Sequence, residues 1–225
     1  MEDSVGAEEL KTIYRHRFDE REIVKKRAVW QILCSTYFSR YITSTDTVLD
    51  IGAGYCEFIN YIGAARRIAV DLNPELPLYS ETGVEVHCGP AENLGFLDEH
   101  TVDVVFSSNV FEHLSGKTAI ARSAREIFRV LRPGGRVIVM GPNINYLPGS
   151  YWDYFDHQVP LTEKSMVELL RLCDFTIDRC LPRFLPYTFK SWLPRWPWLV
   201  RCYLALGAIT FPLFGKQFLI VARKP

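Results

Sequence analysis

The feature that most constrains the fold of this chain is a short apolar strand that runs directly into a glycine turn. Residues 48–57 read Val-Leu-Asp-Ile-Gly-Ala-Gly-Tyr-Cys-Glu. Gly52 and Gly54 allow a sharp bend and a close approach to a neighbouring group, which residues with a Cβ atom resist. In open α/β sheets such a turn lies at the carboxyl end of a strand, the edge where these sheets bind ligands. The segment therefore predicts an α/β domain with a ligand site.

The remainder of the chain alternates short β-branched runs with helical segments. Strands are predicted at 47–51, 67–71, 84–87, 102–107, 136–140, 175–180 and 217–222. A helix is predicted over Lys117–Leu131, ended by the turn Arg132-Pro133-Gly134-Gly135, and another over Thr162–Cys173 with Thr162 as N-cap. Strands that alternate with helices indicate a mostly parallel sheet covered on both faces.

The chain divides into an extension and one larger unit. Its 225 residues suffice for one sizeable domain. Residues 1–46 are charged, with apolar residues at three- and four-residue intervals, which predicts an N-terminal helical extension. Residues 47–225 are predicted to form the main domain, in which 183–216 is a hydrophobic cap or insertion before the last strand.

Composition and charge exclude several classes of protein. Twenty-six basic residues balance twenty-six acidic ones, so no overall field attracts nucleic acid, and no nucleic-acid partner is predicted. The N-terminal residues Met-Glu-Asp-Ser-Val-Gly-Ala-Glu-Glu-Leu lack the apolar stretch of a signal peptide. None of the six cysteines has the spacing of a zinc or redox motif, which favours free thiols in a reducing cytoplasm.

A second acidic residue restricts the ligand of the glycine turn. About twenty residues after it, the next strand ends at Asp71, where a carboxylate can accept hydrogen bonds from both ribose hydroxyls. A nicotinamide dinucleotide and S-adenosylmethionine both use this arrangement. Glu57 stands where a dinucleotide site needs a small residue, and with Asp50 it would repel a pyrophosphate. Charge therefore favours the cationic ligand, S-adenosylmethionine.

These segments resemble the motifs of class I S-adenosylmethionine-dependent methyltransferases of type 11. The similarity is carried by 48–57, 69–74 (Ala-Val-Asp-Leu-Asn-Pro), 88–94 (Cys-Gly-Pro-Ala-Glu-Asn-Leu), 102–114 and 130–139. The resemblance implies a Rossmann-like, mostly parallel seven-stranded sheet and S-adenosyl-L-methionine as cofactor. It also implies the cofactor-binding residues, which are Asp50, Gly52, Ala53 and Gly54 at the turn, Asp71 on the ribose, Leu72, Ala91 and Glu92 around the adenine, and Asn109.

The sequence departs from this pattern at two positions. Cys56 stands where the first motif usually has its third glycine, which makes the turn more hindered. Pro90 replaces the acidic residue that often contacts the adenine amino group, so adenine recognition is predicted to rest on backbone groups and Glu92.

Two histidines are candidate catalytic residues, because a hydroxyl or amine acceptor must lose a proton. His113 follows the fourth strand and His157 lies in an aromatic loop, and histidine titrates near neutrality. A structural role is the alternative for each: Glu112 and His113 positioning the following helix, and Asp156 and His157 forming a hydrogen-bonded pair in the loop. The spacing of ligand-type residues predicts no metal site.

The C-terminal insertion is unusually apolar. Residues 202–215 carry no charged side chain, yet fourteen residues are fewer than the ~20 that cross a bilayer, and Pro212 interrupts them. Two interpretations remain open: peripheral membrane contact through 192–214, or a helix packed on the sheet. The predicted function is methyl transfer, at oxygen, to a small-molecule, sugar or lipid-linked acceptor. The alternatives are a non-catalytic S-adenosylmethionine-binding module and a nicotinamide-dependent oxidoreductase.

Overall fold

The structure is a computed structural model that describes residues 20–187 and 196–225. The helices are α1 (Glu20–Thr36), α2 (Glu57–Tyr61), α3 (Leu76–Tyr79), α4 (Lys117–Val130), α5 (Glu163–Leu172), α6 (Pro197–Ala205) and α7 (Gly207–Phe214). The strands are β1 (Thr47–Ile51), β2 (Arg66–Asp71), β3 (Val84–Cys88), β4 (Val102–Ser108), β5 (Leu131–Pro142), β6 (Thr176–Leu181) and β7 (Gln217–Arg223). Residues 1–19 of the predicted N-terminal extension and residues 188–195 of the predicted insertion lie outside the described residues.

The seven strands form one sheet in the order β3-β2-β1-β4-β5-β7-β6. The pairings from β3 to β5 are parallel, and only β7 runs antiparallel to its neighbours β5 and β6. The predicted mostly parallel seven-stranded sheet is therefore confirmed. The connections change direction between β1 and β4, and the crevice at the carboxyl ends of such strands is where open sheets bind ligands.

Each face of the sheet is covered by its own hydrophobic core, because side chains alternate along every strand. On β1, Val48 belongs to one core and Leu49 to the other. The first core includes residues of α1, α2, α6 and α7, and its aromatic centre is a stacked pair of Phe58 and Phe106 with ring centroids 3.7 Å apart. Residues of α4 and α5 complete the second core. Trp30 of α1 packs on Phe58, so the N-terminal helix lies behind the glycine turn.

One predicted helix boundary agrees with the structure, and one predicted strand boundary differs from it. Thr162 is the N-cap of α5, since its Oγ1 accepts a hydrogen bond from the Ser165 N–H at 3.1 Å and Ser165 Oγ accepts one from the Thr162 N–H at 3.0 Å. The start of β5 differs from the prediction. Leu131 already pairs with Val102, and the turn residues 132–135 bulge out of the strand before pairing resumes at Arg136.

The C-terminal insertion forms two short helices that bury some apolar side chains and expose others. Leu204 of α6 and Phe211 of α7 are buried in the first core, as expected for helices packed on the sheet. Other large apolar side chains of the same segment are exposed, namely Trp196, Trp198, Leu206, Ile209, Leu213 and Phe214. We call these six residues the insertion surface. No single helix within 20–187 and 196–225 is long and apolar enough to cross a membrane, and α6 with α7 reaches that length only as a pair bent by 104°.

Candidate active site

The glycine turn after β1 folds back on the end of β2. The N–H groups of Gly52 and Ala53 donate to the carbonyl oxygen of Val70, at 2.8 and 3.1 Å. Gly52 has a φ of +69°, a conformation that favours glycine, and a Cβ atom placed on it would lie 2.1 Å from Val110 Cγ2. The turn therefore requires glycine at position 52 for both backbone and steric reasons.

The predicted ribose ligand, Asp71, lies directly beside this turn. Its Oδ2 atom accepts a hydrogen bond from the Gly54 N–H at 2.8 Å, and Oδ1 accepts one from the Asn73 N–H at 2.8 Å. The Leu72 N–H also contacts this carboxylate, which has about four acceptor positions, so acceptor capacity remains for a ligand hydroxyl. The side chain is held in one orientation, and its free lone pairs fit a ribose.

Three acidic side chains surround the turn, and all three are buried. They are Asp50 at the end of β1, Asp71 at the end of β2, and Glu57 in the first turn of α2. Glu57 forms an ion pair of 2.8 Å with Lys26 of α1. Burial raises the pKa of Asp50 well above its ordinary value of 3.8, and the charges of Asp71 and Glu57 raise it further. Burial also raises the pKa of Asp71. The site thus has an excess of negative charge, which suits a cationic ligand.

This excess charge predicts a pH-dependent stability that Asp50→Asn removes. Because the folded protein raises the pKa of Asp50, the carboxyl group contributes most to stability below pH 3.8, and that contribution is lost as the pH rises through the folded-state pKa. At pH 8 the ligand-free variant should therefore have a higher melting temperature than wild type. The increase should be about 2–4 °C for each kcal/mol gained in the free energy of unfolding.

Thermal denaturation of both proteins from pH 5 to pH 8 measures this difference. The difference in melting temperature between the variant and wild type should narrow as the pH falls. It should change sign when S-adenosylmethionine is added, because the variant loses a negative charge that attracts this cation. Equal melting temperatures at pH 8 would show that Asp50 is not destabilising.

The remaining predicted cofactor residues line the same edge of the sheet. Leu72 is 42% exposed beside Asp71, Ala91 is buried in the loop after β3, and its neighbour Glu92 is partly buried. Asn109 follows β4 with a φ of +56°, and its N–H donates to the Met140 carbonyl oxygen at 2.9 Å. The Asn109 Oδ1 atom is buried and has no hydrogen-bond partner within 20–187 and 196–225, so it is available to accept one from an amino group. Cys56 has a φ of +58°, the conformation that the missing glycine would adopt freely.

The two predicted catalytic histidines meet at the carboxyl end of β4. Their rings lie with centroids 4.9 Å apart, although the residues are separated by 44 positions. The Nδ1 atom of His113 is 3.0 Å from the carbonyl oxygen of Asp156, and His157 Nε2 is 3.3 Å from the Tyr187 hydroxyl. His113 is partly open to solvent, whereas His157 is buried. The predicted catalytic residues therefore form one cluster beside the candidate cofactor site.

A third member of this cluster, Glu112, was not predicted as a functional residue. Its side chain is buried, and burial raises its pKa to about 6. Its backbone carbonyl oxygen accepts hydrogen bonds from the N–H groups of Gln158 and Val159, at 2.8 and 3.1 Å, which ties the loop containing His157 to β4. The only sequence signal was the adjacency of Glu112 and His113, since nothing local links either residue to position 157.

The parallel sheet with an antiparallel β7, the glycine turn and the ribose-type carboxylate define a class I S-adenosylmethionine-dependent methyltransferase fold. Residues 49–139 match the family model described as a methyltransferase domain of type 11. The match covers about two fifths of the chain, so this segment is similar to that family, and the resemblance implies S-adenosylmethionine as the cofactor.

Two curated relatives match part of the chain. The tRNA (carboxymethyluridine(34)-5-O)-methyltransferase of Arabidopsis thaliana is 29% identical over 103 residues, which are 45% of this chain and 25% of that protein. A protein of Mycolicibacterium smegmatis (strain ATCC 700084 / mc(2)155), named a probable S-adenosylmethionine-dependent methyltransferase, is 37% identical over 90 residues, which are 39% of this chain and 34% of that protein. The matches thus span only about a quarter to a third of these relatives.

Similarity to solved structures extends over nearly the whole chain. The crystal structure of a SAM-dependent methyltransferase from Archaeoglobus fulgidus superposes with a TM-score of 0.65, at 20% identity, over 96% of this chain and 99% of that one. At this identity the likeness establishes the fold alone.

Proposed function

We propose that this chain transfers a methyl group from S-adenosylmethionine to a hydroxyl oxygen of an acceptor that is linked to lipid at a membrane surface. The observation that carries the methyltransferase part is the set of buried carboxylates, Asp50, Glu57 and Asp71, around the glycine turn. A pyrophosphate would be repelled there, whereas a sulfonium and an ammonium group are attracted. This charge distribution argues against a nicotinamide dinucleotide.

The chain contributes binding, orientation and water exclusion. When bound, S-adenosylmethionine supplies a methyl group on a sulfonium sulfur, so that a methyl–oxygen bond forms as the methyl–sulfur bond breaks and the acceptor hydroxyl loses a proton. Asp71 would hold the ribose, and Asn109 Oδ1 would accept a hydrogen bond from the amino group of the methionine part. Fixing two reactants in this way contributes about 7–11 kcal/mol to lowering the barrier.

The acceptor is proposed to contact His113 and His157. Both lie at the carboxyl end of β4, next to the strand that carries the glycine turn, and the partial exposure of His113 provides access from solvent. Trp152 and Phe155, in the same loop as His157, are 53% and 93% exposed. Exposed aromatic side chains beside the cluster support an acceptor that has a sugar ring or an apolar part.

The insertion surface supports a lipid-linked acceptor. Ile209 and Leu213 of α7 are each 62% exposed, and Trp196 and Trp198 are each 56% exposed with stacked rings. Several large exposed apolar side chains on one short segment indicate an interaction site, and tryptophan favours the boundary between lipid and water. Neither helix alone is long and apolar enough to cross a bilayer, and the pair is bent by 104°, an arrangement that suits helices lying in the membrane interface.

The charge of the C-terminal segment that contains the insertion surface indicates which lipid would be bound. From Arg179 to Pro225 the chain has eight basic residues and no acidic one, although the whole chain has no net charge. Arg201 and Lys216 are exposed on α6 and directly after α7. Each basic residue near an anionic membrane contributes about 1 kcal/mol to binding. The partner proposed for this surface is therefore a membrane rich in anionic lipid.

Flotation with vesicles tests the membrane contact. The chain should float with vesicles of phosphatidylglycerol and phosphatidylcholine, less at high salt, and little with phosphatidylcholine alone. The double variant Ile209→Asp/Leu213→Asp should stay at the bottom of the gradient. Leu172→Asp is the matched control, because Leu172 is a 77% exposed leucine on α5, outside the insertion surface, and it should float like wild type. Recovery of wild type in the bottom fraction with anionic vesicles would refute the contact.

A nucleic-acid acceptor is the alternative suggested by the Arabidopsis thaliana relative. That match covers only a quarter of the relative, and the zero net charge of this chain provides no overall attraction to phosphate backbones. The basic C-terminal segment is interrupted by exposed apolar side chains, which suit lipid better than RNA.

A labelled transfer assay tests the proposed function. The purified chain, S-adenosylmethionine with a labelled methyl group, and separate extracts of lipid-linked saccharides, water-soluble metabolites and tRNA would be combined. Label should appear in the lipid extract with wild type but not with Asp71→Asn. Label confined to tRNA or to soluble metabolites would contradict the lipid-linked acceptor. Tight binding of S-adenosylmethionine without any transfer would identify a non-catalytic module.

A further inference from the structure

Three side chains with metal-ligand chemistry converge at the carboxyl end of β4. Glu112, His113 and His157 each offer one ligand atom, and the three atoms lie within 4.8 Å of one another. Two imidazoles with one carboxylate are a ligand set that proteins use for Zn²⁺ and for Fe²⁺, and Co²⁺ accepts similar donors. The arrangement arises from the fold, since the second histidine comes from a different loop.

Glu112 provides the independent sign that a cation belongs here. Its side chain is 2% exposed, and its Oε1 atom is buried without a hydrogen-bond partner among the described residues. A buried carboxylate oxygen in this state is costly unless a cation or a donor completes it. Among the described residues, the ion-pair partner nearest to this carboxylate is the His113 ring. Its Nε2 atom lies 3.8 Å from Glu112 Oε1, which is beyond hydrogen-bond distance.

The surroundings of His113 orient its ring for coordination. Its Nδ1 atom faces Asp156, with the carbonyl oxygen at 3.0 Å and the Oδ2 atom at 3.3 Å. Metal-binding histidines generally donate one ring N–H to such an oxygen, which leaves the other nitrogen for the metal. An ion at about 2.1 Å from both ligands fits the 3.8 Å separation of His113 Nε2 and Glu112 Oε1. The widest separation, 4.8 Å, needs a ring movement of about 1 Å to close around the ion.

We infer that Glu112, His113 and His157 bind one divalent transition-metal ion, whose remaining coordination positions accept water or an oxygen of the methyl acceptor. Binding of the metal ion stands independently, and only the coordination of an acceptor oxygen rests on the proposed function. The histidines would then hold a metal that orients the acceptor hydroxyl, in place of accepting its proton directly, and the proton would leave to solvent. An acceptor with two neighbouring hydroxyls, as in a sugar, suits such an open site.

Metal titration tests the site without S-adenosylmethionine or any acceptor. Protein treated with a chelator and then dialysed would be titrated with Co²⁺, and heat and visible absorption would be recorded. Wild type should bind one ion, with the absorption bands of a low-coordinate cobalt site. Glu112→Gln and His157→Gln should each weaken Co²⁺ binding by at least about 10- to 100-fold. Loss of a residue that only hydrogen-bonds a metal ligand already has an effect of that size, and these two variants remove a ligand itself. His87→Gln is the matched control. His87 lies on β3, outside the cluster, and its ring stacks on Phe96.

Two further measurements keep the outcomes distinct. Affinity for S-adenosylmethionine should be unchanged in Glu112→Gln, which shows that the variant is folded; if that variant does not fold, His157→Gln carries the test alone. Absence of Co²⁺ binding to wild type, or equal binding by the cluster variants and His87→Gln, would overturn the metal site. Normal metal binding without binding of S-adenosylmethionine would instead refute the proposed function.

Discussion

Gly52→Ala is expected to abolish binding of S-adenosylmethionine and to lower the melting temperature. The new methyl group would lie 2.1 Å from Val110 Cγ2, so the turn must move away from the chain that follows β4. The φ of +69° adds about 1–2 kcal/mol of strain for alanine, and overpacking costs typically 1–3 kcal/mol. Calorimetric titration and thermal denaturation measure the two effects.

Gly63→Ala is the matched control for this variant. A Cβ atom at Gly63 meets no atom of the described residues within 4 Å, so stability and cofactor affinity should remain close to wild type. Gly52→Ala combined with Val110→Ala separates the causes, because it removes the 2.1 Å contact, leaves a 3.2 Å contact with the Cβ atom of residue 110, and retains the backbone strain. We expect that pair to recover stability in part. Undiminished cofactor affinity in Gly52→Ala would mean that the turn does not form the binding site.

Asp71→Asn is expected to weaken S-adenosylmethionine binding by at least about 100-fold. Two hydrogen bonds from ribose hydroxyls to a charged oxygen contribute about 1.5–3 kcal/mol each, and 1.4 kcal/mol corresponds to a factor of ten. The amide would also fail to accept from both Gly54 and Asn73, whose N–H groups now bind the two carboxylate oxygens. The variant should therefore lose orientation as well as charge.

Glu85→Gln controls for the loss of one negative charge in the neighbouring strand. Glu85 lies on β3, paired with Arg66 at 2.7 Å and partly exposed, so its substitution should leave cofactor affinity unchanged. Circular dichroism should show that Asp71→Asn retains the sheet and helices. An affinity equal to that of wild type would exclude Asp71 as the ribose ligand.

Much of the fold was predictable because each strand is a short β-branched run bounded by turn residues. The predicted ranges for β1 and β7 agree with the structure to within one residue, and Thr162 caps α5 as expected. The start of β5 was not predictable, because Pro133, Gly134 and Gly135 indicate a turn locally. Pairing of Leu131 with Val102 overrides that local signal, a tertiary effect that no sequence window contains.

The candidate site was predictable only where its residues follow strands in sequence. The pairing of the glycine turn with Asp71 follows from the parallel order of β1 and β2, and the contact with Gly54 agrees with it. The cluster of Glu112, His113 and His157 depends on a loop that returns across the sheet, so spacing could not reveal it. The ion pair of Lys26 with Glu57 was hidden for the same reason, because it joins α1 to the glycine turn.

Calorimetric titration of the wild-type chain with S-adenosylmethionine tests the central conclusion most directly. We predict binding of one molecule, competition by its demethylated product, and no heat with a reduced nicotinamide dinucleotide. Absence of heat with S-adenosylmethionine, or binding of the dinucleotide at the same site, would contradict the assignment of the cofactor.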